Sequence, residues 1–390
     1  MRIGLVVTGG VDRSGRERML PGIVWFIERL ARRHDVHVFV LHHYREPCGY
    51  PLAGATIHDI GRVDGPPGFR RLIIRRRLAA AIEGVSAGGR FDLLHAYQGM
   101  PGVAATAAGR RLSLPVVVTI DSGELVAFED IHYGLQRRWI DRRAIARTLR
   151  AAARVTVATE AMKRTAAALV SDVRVDVVPI GVDPRAFPPA GGRSGPPFRL
   201  LRVASLNRVK DYPTLLRALG PVVTSLPVHL DIVGEDTLDG LTERQAQELG
   251  LESHVTFHGF QPTDALAAFY TRADLHVVSS RHEAAGGVVL EAACAGVPTV
   301  GTRVGYLADW SLDAAGDGRE RAVAVPVGDA EALATAVIGL LQDAPRRERI
   351  AGAARAWALA HDADWTAQRF EEIYAEVVPR LAEDPVKKSL

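Results

Sequence analysis

Short β-branched runs recur along this chain with helical sequence between them, and the alternation is interrupted once. In the first half the strand-like segments are RIGLVVT (2–8), VHVFVLH (36–42), ATIHDIG (55–61), DLLHAY (92–97), PVVVTI (115–120), RVTVAT (154–159) and VRVDVVP (173–179). Between them lie periodic stretches such as RERMLPGIVWFIERLARR and FRRLIIRRRLAAAIEGV, a helical region near 101–111 and a long helix around 134–151. Runs of this kind, joined by helices, specify a parallel sheet covered on both faces. PPAGGRSGPP, between Phe187 and Phe198, can continue neither element type and reads as a linker. The pattern then restarts with RLLRVAS (199–205), VHLDIVG (228–234), VTFHG (255–259), LHVVSS (275–280), PTVGT (298–302) and AVAVPV (322–327). Six strands with intervening helices fit a Rossmann-type unit, and from Asp329 the sequence is helical almost to its end. The expected class is α/β, two doubly wound domains facing across a cleft.

A length of 390 residues suffices for two domains with full cores, and 47% hydrophobic with 24% charged residues is a globular composition. Cys48 and Cys294 are the only cysteines, so no disulfide framework is implied and a reducing cytosol is the default. MRIGLVVTGG stops at glycines before it reaches the length of a signal-peptide core or a membrane span, so the expected location is cytoplasmic. Charge is divided unevenly: residues 1–185 hold 28 Lys/Arg against 18 Asp/Glu, and residues 186–390 hold 20 against 27. A basic half joined to an acidic half points to two units with different partners.

The stretch SSRHEAAGGVVLEAACAGVPTV (279–300) carries the chemistry. LHVVSS is a strand, RHEAAGG leaves its carboxyl end, and Gly286-Gly287 opens the next helix. Ligands of open parallel sheets sit at such carboxyl ends. Glycine lets a phosphate approach the backbone, and free amides with the helix dipole favour its charge. Glu283 and Glu291 flank that position, and carboxylates are good acceptors for sugar hydroxyls. A hexose on one side of the phosphates and a ribose on the other describe a nucleotide sugar. Glu291 lies inside VVLEAACAGV, where a charge needs a partner. Only four of the 48 basic residues are lysines, and Lys210 alone among them follows the first strand of the second half. A compact ammonium there suits a diphosphate.

EAAGGVVLE resembles the E-x7-E motif of glycosyltransferase family 4, whose members have the GT-B fold. The resemblance extends from TGG (8–10) through VVPIGVDPRAF (177–187) to SLNRVKD (205–211) and AGVPTVGT (295–302). It implies that Glu283 contacts donor-sugar hydroxyls and that Glu291 holds the ribose. It also implies that the Gly286, Gly287 and Val288 region meets sugar or diphosphate, and that Gly259 and Phe260 lie where the base is contacted. Lys210 would stabilise the leaving nucleoside diphosphate. The family normally has an arginine where this chain has Ser205; Arg208, in the same loop, is the substitute expected here. Many members carry a histidine where this chain has Asp121, with Glu124 three residues on. Either Asp121 bonds a sugar hydroxyl in that histidine's place, or the acceptor side is differently built. Gly9 and Gly10 lack G-x-G-x-x-G spacing and serve either as a tight turn or as the lip that nears the diphosphate. The expected division is an acceptor domain over 1–186, a linker over 187–197 and a nucleotide-sugar domain over 198–365. A C-terminal helix over 366–390 packs back on the first domain.

No metal-ligating constellation is legible: His42-His43 ends a strand and Asp362-Ala363-Asp364 falls in late helical sequence. The resemblance likewise implies retaining, metal-independent transfer without a cofactor. A glycan, a lipid-linked molecule or a small molecule is the acceptor class; nucleic acid is not expected. IVWFIERLARR (23–33) and FRRLIIRRRL (69–78) either cover the N-terminal sheet or rest on the inner face of an anionic membrane. Two rivals remain: a nucleotide-sugar-binding protein without turnover, and a nicotinamide-dependent oxidoreductase, against which the missing glycine fingerprint counts.

Overall fold

The computed structural model describes residues 1–378 apart from 42, 190–194 and 314–315. His42, part of the linker and everything beyond 378, Lys387 and Lys388 included, lie outside the described residues. The first sheet contains β1 (Arg2–Val7), β2 (Asp35–Val40), β3 (Cys48–Leu52) and β4 (Ala55–Asp59). It continues with β5 (Leu93–Tyr97), β6 (Val116–Ile120), β7 (Arg154–Val157) and β8 (Val175–Val177). Its order is β3-β4-β2-β1-β5-β6-β7-β8. The second sheet contains β9 (Phe198–Val203), β10 (Val228–Val233), β11 (Val255–Phe257), β12 (Leu275–Val278), β13 (Thr299–Thr302) and β14 (Val323–Val325). Its order is β11-β10-β9-β12-β13-β14, all parallel. The chain is therefore two Rossmann-like α/β units, as the alternation of runs implied.

One strand escaped sequence reading. β3 (CGYPL) contains Gly49 and Pro51, and it pairs antiparallel with β4 at the sheet's edge. Proline is tolerated on an edge, so neither residue breaks the ladder.

Helices of the first unit are α1 (Pro21–Ala31), α2 (Pro67–Ser86), α3 (Gly99–Leu112), α4 (Trp139–Ala151) and α5 (Glu160–Leu169). Those that follow are α6 (Tyr212–Ser225), α7 (Leu241–Glu248), α8 (Thr263–Arg272) and α9 (Gly287–Cys294). The last are α10 (Gly305–Trp310), α11 (Ala330–Gln342), α12 (Ala344–Ala360) and α13 (Ala363–Val377). The two stretches weighed for membrane contact behave differently. Ile23, Phe26, Ile27 and Leu30 of α1 are buried against β1 and β2, so that helix covers the sheet. In α2, Ile74 and Leu78 are buried, whereas Phe69 and Leu72 stand in solvent.

α13 belongs by sequence to the second half but packs into the first core. Ala367, Phe370, Ile373 and Tyr374 are buried beside Phe26, Ile27 and Leu30. Phe370 lies 5.0 Å from the ring of Phe26 and 4.8 Å from that of His95. The chain crosses between units twice at one place, where Thr366 Oγ1 accepts from Gly181 N at 2.9 Å and donates to Pro179 O at 2.7 Å. A Cβ on Gly181 would lie 2.2 Å from the Asp362 carbonyl, so only glycine permits that approach. We expect Phe370→Ala to cost about 3–5 kcal/mol in chemical denaturation, the range for emptying a buried aromatic site. A loss under about 1 kcal/mol would show that α13 contributes little to the first core.

Candidate active site

In both sheets the chain order reverses at the centre, β1 beside β5 and β9 beside β12. The loops leaving the carboxyl ends of these strands face one another across the cleft. Lys210 leaves β9 on a short 3₁₀ turn (Arg208–Lys210), which Asn207 caps by accepting from Lys210 N. Its Nζ donates to both oxygens of Glu283, at 2.7 and 2.8 Å. Glu283 leaves β12 and also accepts from Ser280 Oγ at 2.6 Å. Beneath Ser280 lies Arg202, on β9 and 0% exposed, with Nη2 donating to Ser280 Oγ at 2.8 Å. Its Nε and Nη1 have no hydrogen-bond partner among the described residues.

Burial alone would raise the Glu283 carboxyl, but Lys210 and then Arg202 outweigh it and hold the group below the usual glutamate range. Glu283 is therefore a firm anion between two cations. The arginine beside this pair is Arg202, not the Arg208 of the same loop as Lys210. Successive residues of a 3₁₀ turn are about 120° apart, so a turn that aims Lys210 inward sends Arg208 outward. Arg208 is exposed and makes no hydrogen bond or ion pair with a described residue. An arginine between the apolar pair Leu200-Leu201 and Val203 is the sequence signal for this buried cation.

Glu291 occupies the second turn of α9, is 8% exposed, and accepts from Tyr270 Oη at 2.8 Å. Burial pushes its carboxyl up to about 7, against which the tyrosine bond works only partly. Gly286 is the N-cap of α9 with φ +80°, a left-handed conformation that glycine adopts without strain. Gly287 is exposed, and nothing approaches within 4 Å of where its Cβ would be, leaving its amide accessible to a ligand.

A cavity of about 500 Å³ lies between the units and gathers Gly10, Ser205, Phe260, Val288 and Glu291. Arg16 and Arg18, from the loop after β1, close its other side. Ser205 accepts from Asn207 Nδ2 at 2.9 Å. Phe260 is exposed at the rim, and the Gly259 carbonyl accepts from Gly234 N at 2.9 Å. Gly9 is half-buried and does not line this cavity.

Asp121, at the end of β6, is half-buried and its carboxyl has no hydrogen bond to a described residue. Burial, then the Glu124 and Glu283 carboxylates, raise it to about 8, so it is mostly protonated at neutral pH. Glu124 serves the fold: it accepts from Gly99 N at the start of α3 and from Ser122 N, both at 2.8 Å. His282 bridges the units through Ser122 O at 3.2 Å, and burial lowers its imidazole below the ordinary histidine value. Among the described residues no group of three or more His, Cys, Asp or Glu is arranged to hold a metal ion. Asp362 caps α13 and Asp364 pairs with Arg29 and Arg32.

Residues 21–181 match the glycosyl transferase 4-like domain, and residues 185–357 match the glycosyl transferases group 1. A D-inositol 3-phosphate glycosyltransferase of Thermomonospora curvata is 30% identical over 395 residues, covering 90% of this chain and 89% of that protein. Three other curated relatives at 30–32% identity are spanned over only 43–66% of their length. Among solved structures, sucrose-phosphate synthase from Thermosynechococcus elongatus superposes with a TM-score of 0.82 at 20% identity, over 97% of this chain and 99% of that one. Anabaena HepE in complex with UDP and glucose gives 0.70 at 18% identity, over 96% and 100%. The chain belongs to the GT4-like glycosyltransferases, enzymes of the GT-B fold.

Because the Glu291 carboxyl is raised in the folded state, its ionisation opposes folding. Stability from this group is intact below its unfolded value near 4.5 and is lost as pH rises through about 7. Glu291→Gln is expected to be stabilising relative to the parent at pH 8, by on the order of 3 kcal/mol, and near neutral at pH 4. A melting-temperature difference that does not change with pH would refute the assignment.

Proposed function

We propose that the protein transfers a sugar from a nucleotide-sugar donor, a UDP- or GDP-sugar, to a hydroxyl acceptor, with retention of configuration and without a metal ion. The observation that carries this reading is the Lys210–Glu283 pair at the start of α9, beside a cavity that holds Glu291. HepE's complex with UDP and glucose supports the donor class.

Bond breaking places negative charge on the departing diphosphate and cationic character on the sugar. The diphosphate lies over the Gly286–Gly287 amides, where helix dipole and free N–H groups favour it. Lys210 has three N–H donors and gives two to Glu283, so one remains for a phosphate oxygen without breaking the pair. Arg202, one residue deeper, adds positive potential that this low-dielectric site screens poorly. Glu283 accepts from sugar hydroxyls and fixes the ring. Protonated Asp121 donates to a sugar oxygen from the opposite unit, the role expected of the histidine it replaces. Glu291 accepts from the ribose hydroxyls, and Phe260 with the Gly259 turn borders the base. The departing phosphate takes the acceptor's proton, so no separate base is needed.

The acceptor enters through a second cavity of about 520 Å³ in the first unit, bounded by Ser122 and Glu124 on the donor side and by Arg70, Arg71, Arg137 and Arg138 on the other. That lining suits an acceptor with a negative group, a class that includes the inositol phosphate in the relative's name. Turnover without acceptor, as slow donor hydrolysis, separates a transferase from a mere binding protein.

The test is a panel of UDP-, GDP- and ADP-sugars scored by thermal stabilisation and nucleotide release. Glu283→Ala and Lys210→Ala are each expected to lower transfer by at least about 10³-fold while near-native circular dichroism is retained. Full activity in either folded variant would overturn the role given to it. Stabilisation by NAD and not by any nucleotide sugar would overturn the reading as a whole.

A further inference from the structure

Four of the twelve large apolar side chains that stand in solvent among the described residues lie on two helices of the first unit, α2 and α4. Phe69 and Leu72 of α2 are 55% and 45% exposed, and Trp139 and Ile140 at the start of α4 are 64% and 46% exposed. An ion pair between Arg71 and Asp141 ties the two helices together next to these residues in the chain. α2 and α4 carry nine arginines against two acids, and one of those acids, Asp141, is buried under Arg71. Arg75, Arg76, Arg142 and Arg147 are exposed and have no ion-pair partner among the described residues. Arg143 lies over the Trp139 ring at 5.0 Å. Folding explains none of this, because the helices bury other faces, through Ile74, Leu78, Ile145 and Leu149.

We propose that this face docks on an anionic lipid bilayer. Its four apolar tips enter the headgroup boundary while the surrounding arginines meet lipid phosphates, the pairing of signals that holds a protein at a membrane without a spanning helix. Charge complementarity selects the bilayer over a second copy of the chain. A two-fold contact through this face would set arginine against arginine. The face adjoins the arginine-lined cavity, with Arg70 and Arg138 on the rim of both. Docking is independent of the transferase reading; only its use, which is to bring that cavity to lipid-borne or surface-concentrated acceptors, rests on it.

Co-sedimentation of the full chain tests this with vesicles of phosphatidylcholine and of phosphatidylcholine mixed with phosphatidylglycerol, at low and high salt. The protein is expected to partition onto the anionic vesicles at low salt and not onto the neutral ones. Arg75→Glu with Arg76→Glu should weaken that partition by about twenty-fold. Trp139→Ser with Ile140→Ser should weaken it severalfold even at low salt. Both pairs lie outside the cavities, so donor hydrolysis in solution should be unchanged. Absence of binding to anionic vesicles, equal binding to both kinds, or variants that bind like the parent would each overturn the proposal. So would self-association in light scattering that the same substitutions abolish. In all these cases retained donor hydrolysis leaves the transferase reading standing.

Discussion

Glu283 sits where a carboxylate is hardest to keep ionised, at the seam of two sheets with little water, and two cations keep it so. Lys210 grips it from the cleft and Arg202 supports it from below through Ser280. Neither cation would be tolerated there alone. Removing one partner of a buried pair typically costs 3–5 kcal/mol, because the remaining charge has lost both water and its counter-charge. The loops leaving β9 and β12 are therefore held together electrostatically at one point, and that point begins α9. Two further acids of the cleft, Asp121 and Glu291, are incompletely ionised near pH 7. Asp121 is mostly protonated, and Glu291, raised to about 7, is only partly ionised. Two fixed cations thus face one firm anion, which leaves an excess of positive charge beside the free amides of α9. A site of that sign is preorganised for an anionic ligand.

Much of this architecture was legible because parallel sheets buried on both faces demand uninterrupted β-branched runs, and RIGLVV, VVVTI and LHVV satisfy that demand without ambiguity. Glu291 was legible for the same reason in reverse: a carboxylate within VVLEAACAGV had to have a partner, and Tyr270 is that partner. Arg202 obeys the same rule, but Arg199 in the same strand is only half-buried, so RLLRV alone does not say which arginine turns inward. β3 was hidden by Gly49 and Pro51, which are adverse in a central strand and harmless at an edge. Exposure of Trp139 and Ile140 could not be read at all. A helix start with two apolar residues normally turns them inward, and only the buried Asp141 beside them shows that α4 is rotated the other way.

Contacts across the cleft differ in kind from those at the crossing point. On the cleft side Arg281 pairs with Asp130, Arg16 pairs with Asp264 at 2.8 Å, and His282 meets Ser122 O. The Arg16–Asp264 pair is well exposed, and exposed pairs contribute under about 1 kcal/mol each. At the crossing, Thr366 bonds both Pro179 and Gly181, and α13 is sealed into the first core by Phe370 and Tyr374. Asp309, from the second unit, accepts from Glu160 N and Ala161 N and so caps α5 of the first. The Thr366 bonds and the α13 packing are shielded from water and hard to trade for solvent.

A weak seam opposite a strong one makes a hinge, and the geometry decides what the hinge moves. Arg16, Arg18 and Gly10 on the first unit border the same cavity as Ser205, Val288 and Glu291 on the second. Opening at the weak seam would separate these two walls, and it would also pull on the loop that carries Glu283, because His282 meets Ser122 O and the Ala284 carbonyl accepts from Thr159 Oγ1 of the first unit. The closed arrangement keeps Asp121 of the first unit near enough to Glu283 of the second for that carboxylate to help raise it, so the two carboxyls are coupled across the seam.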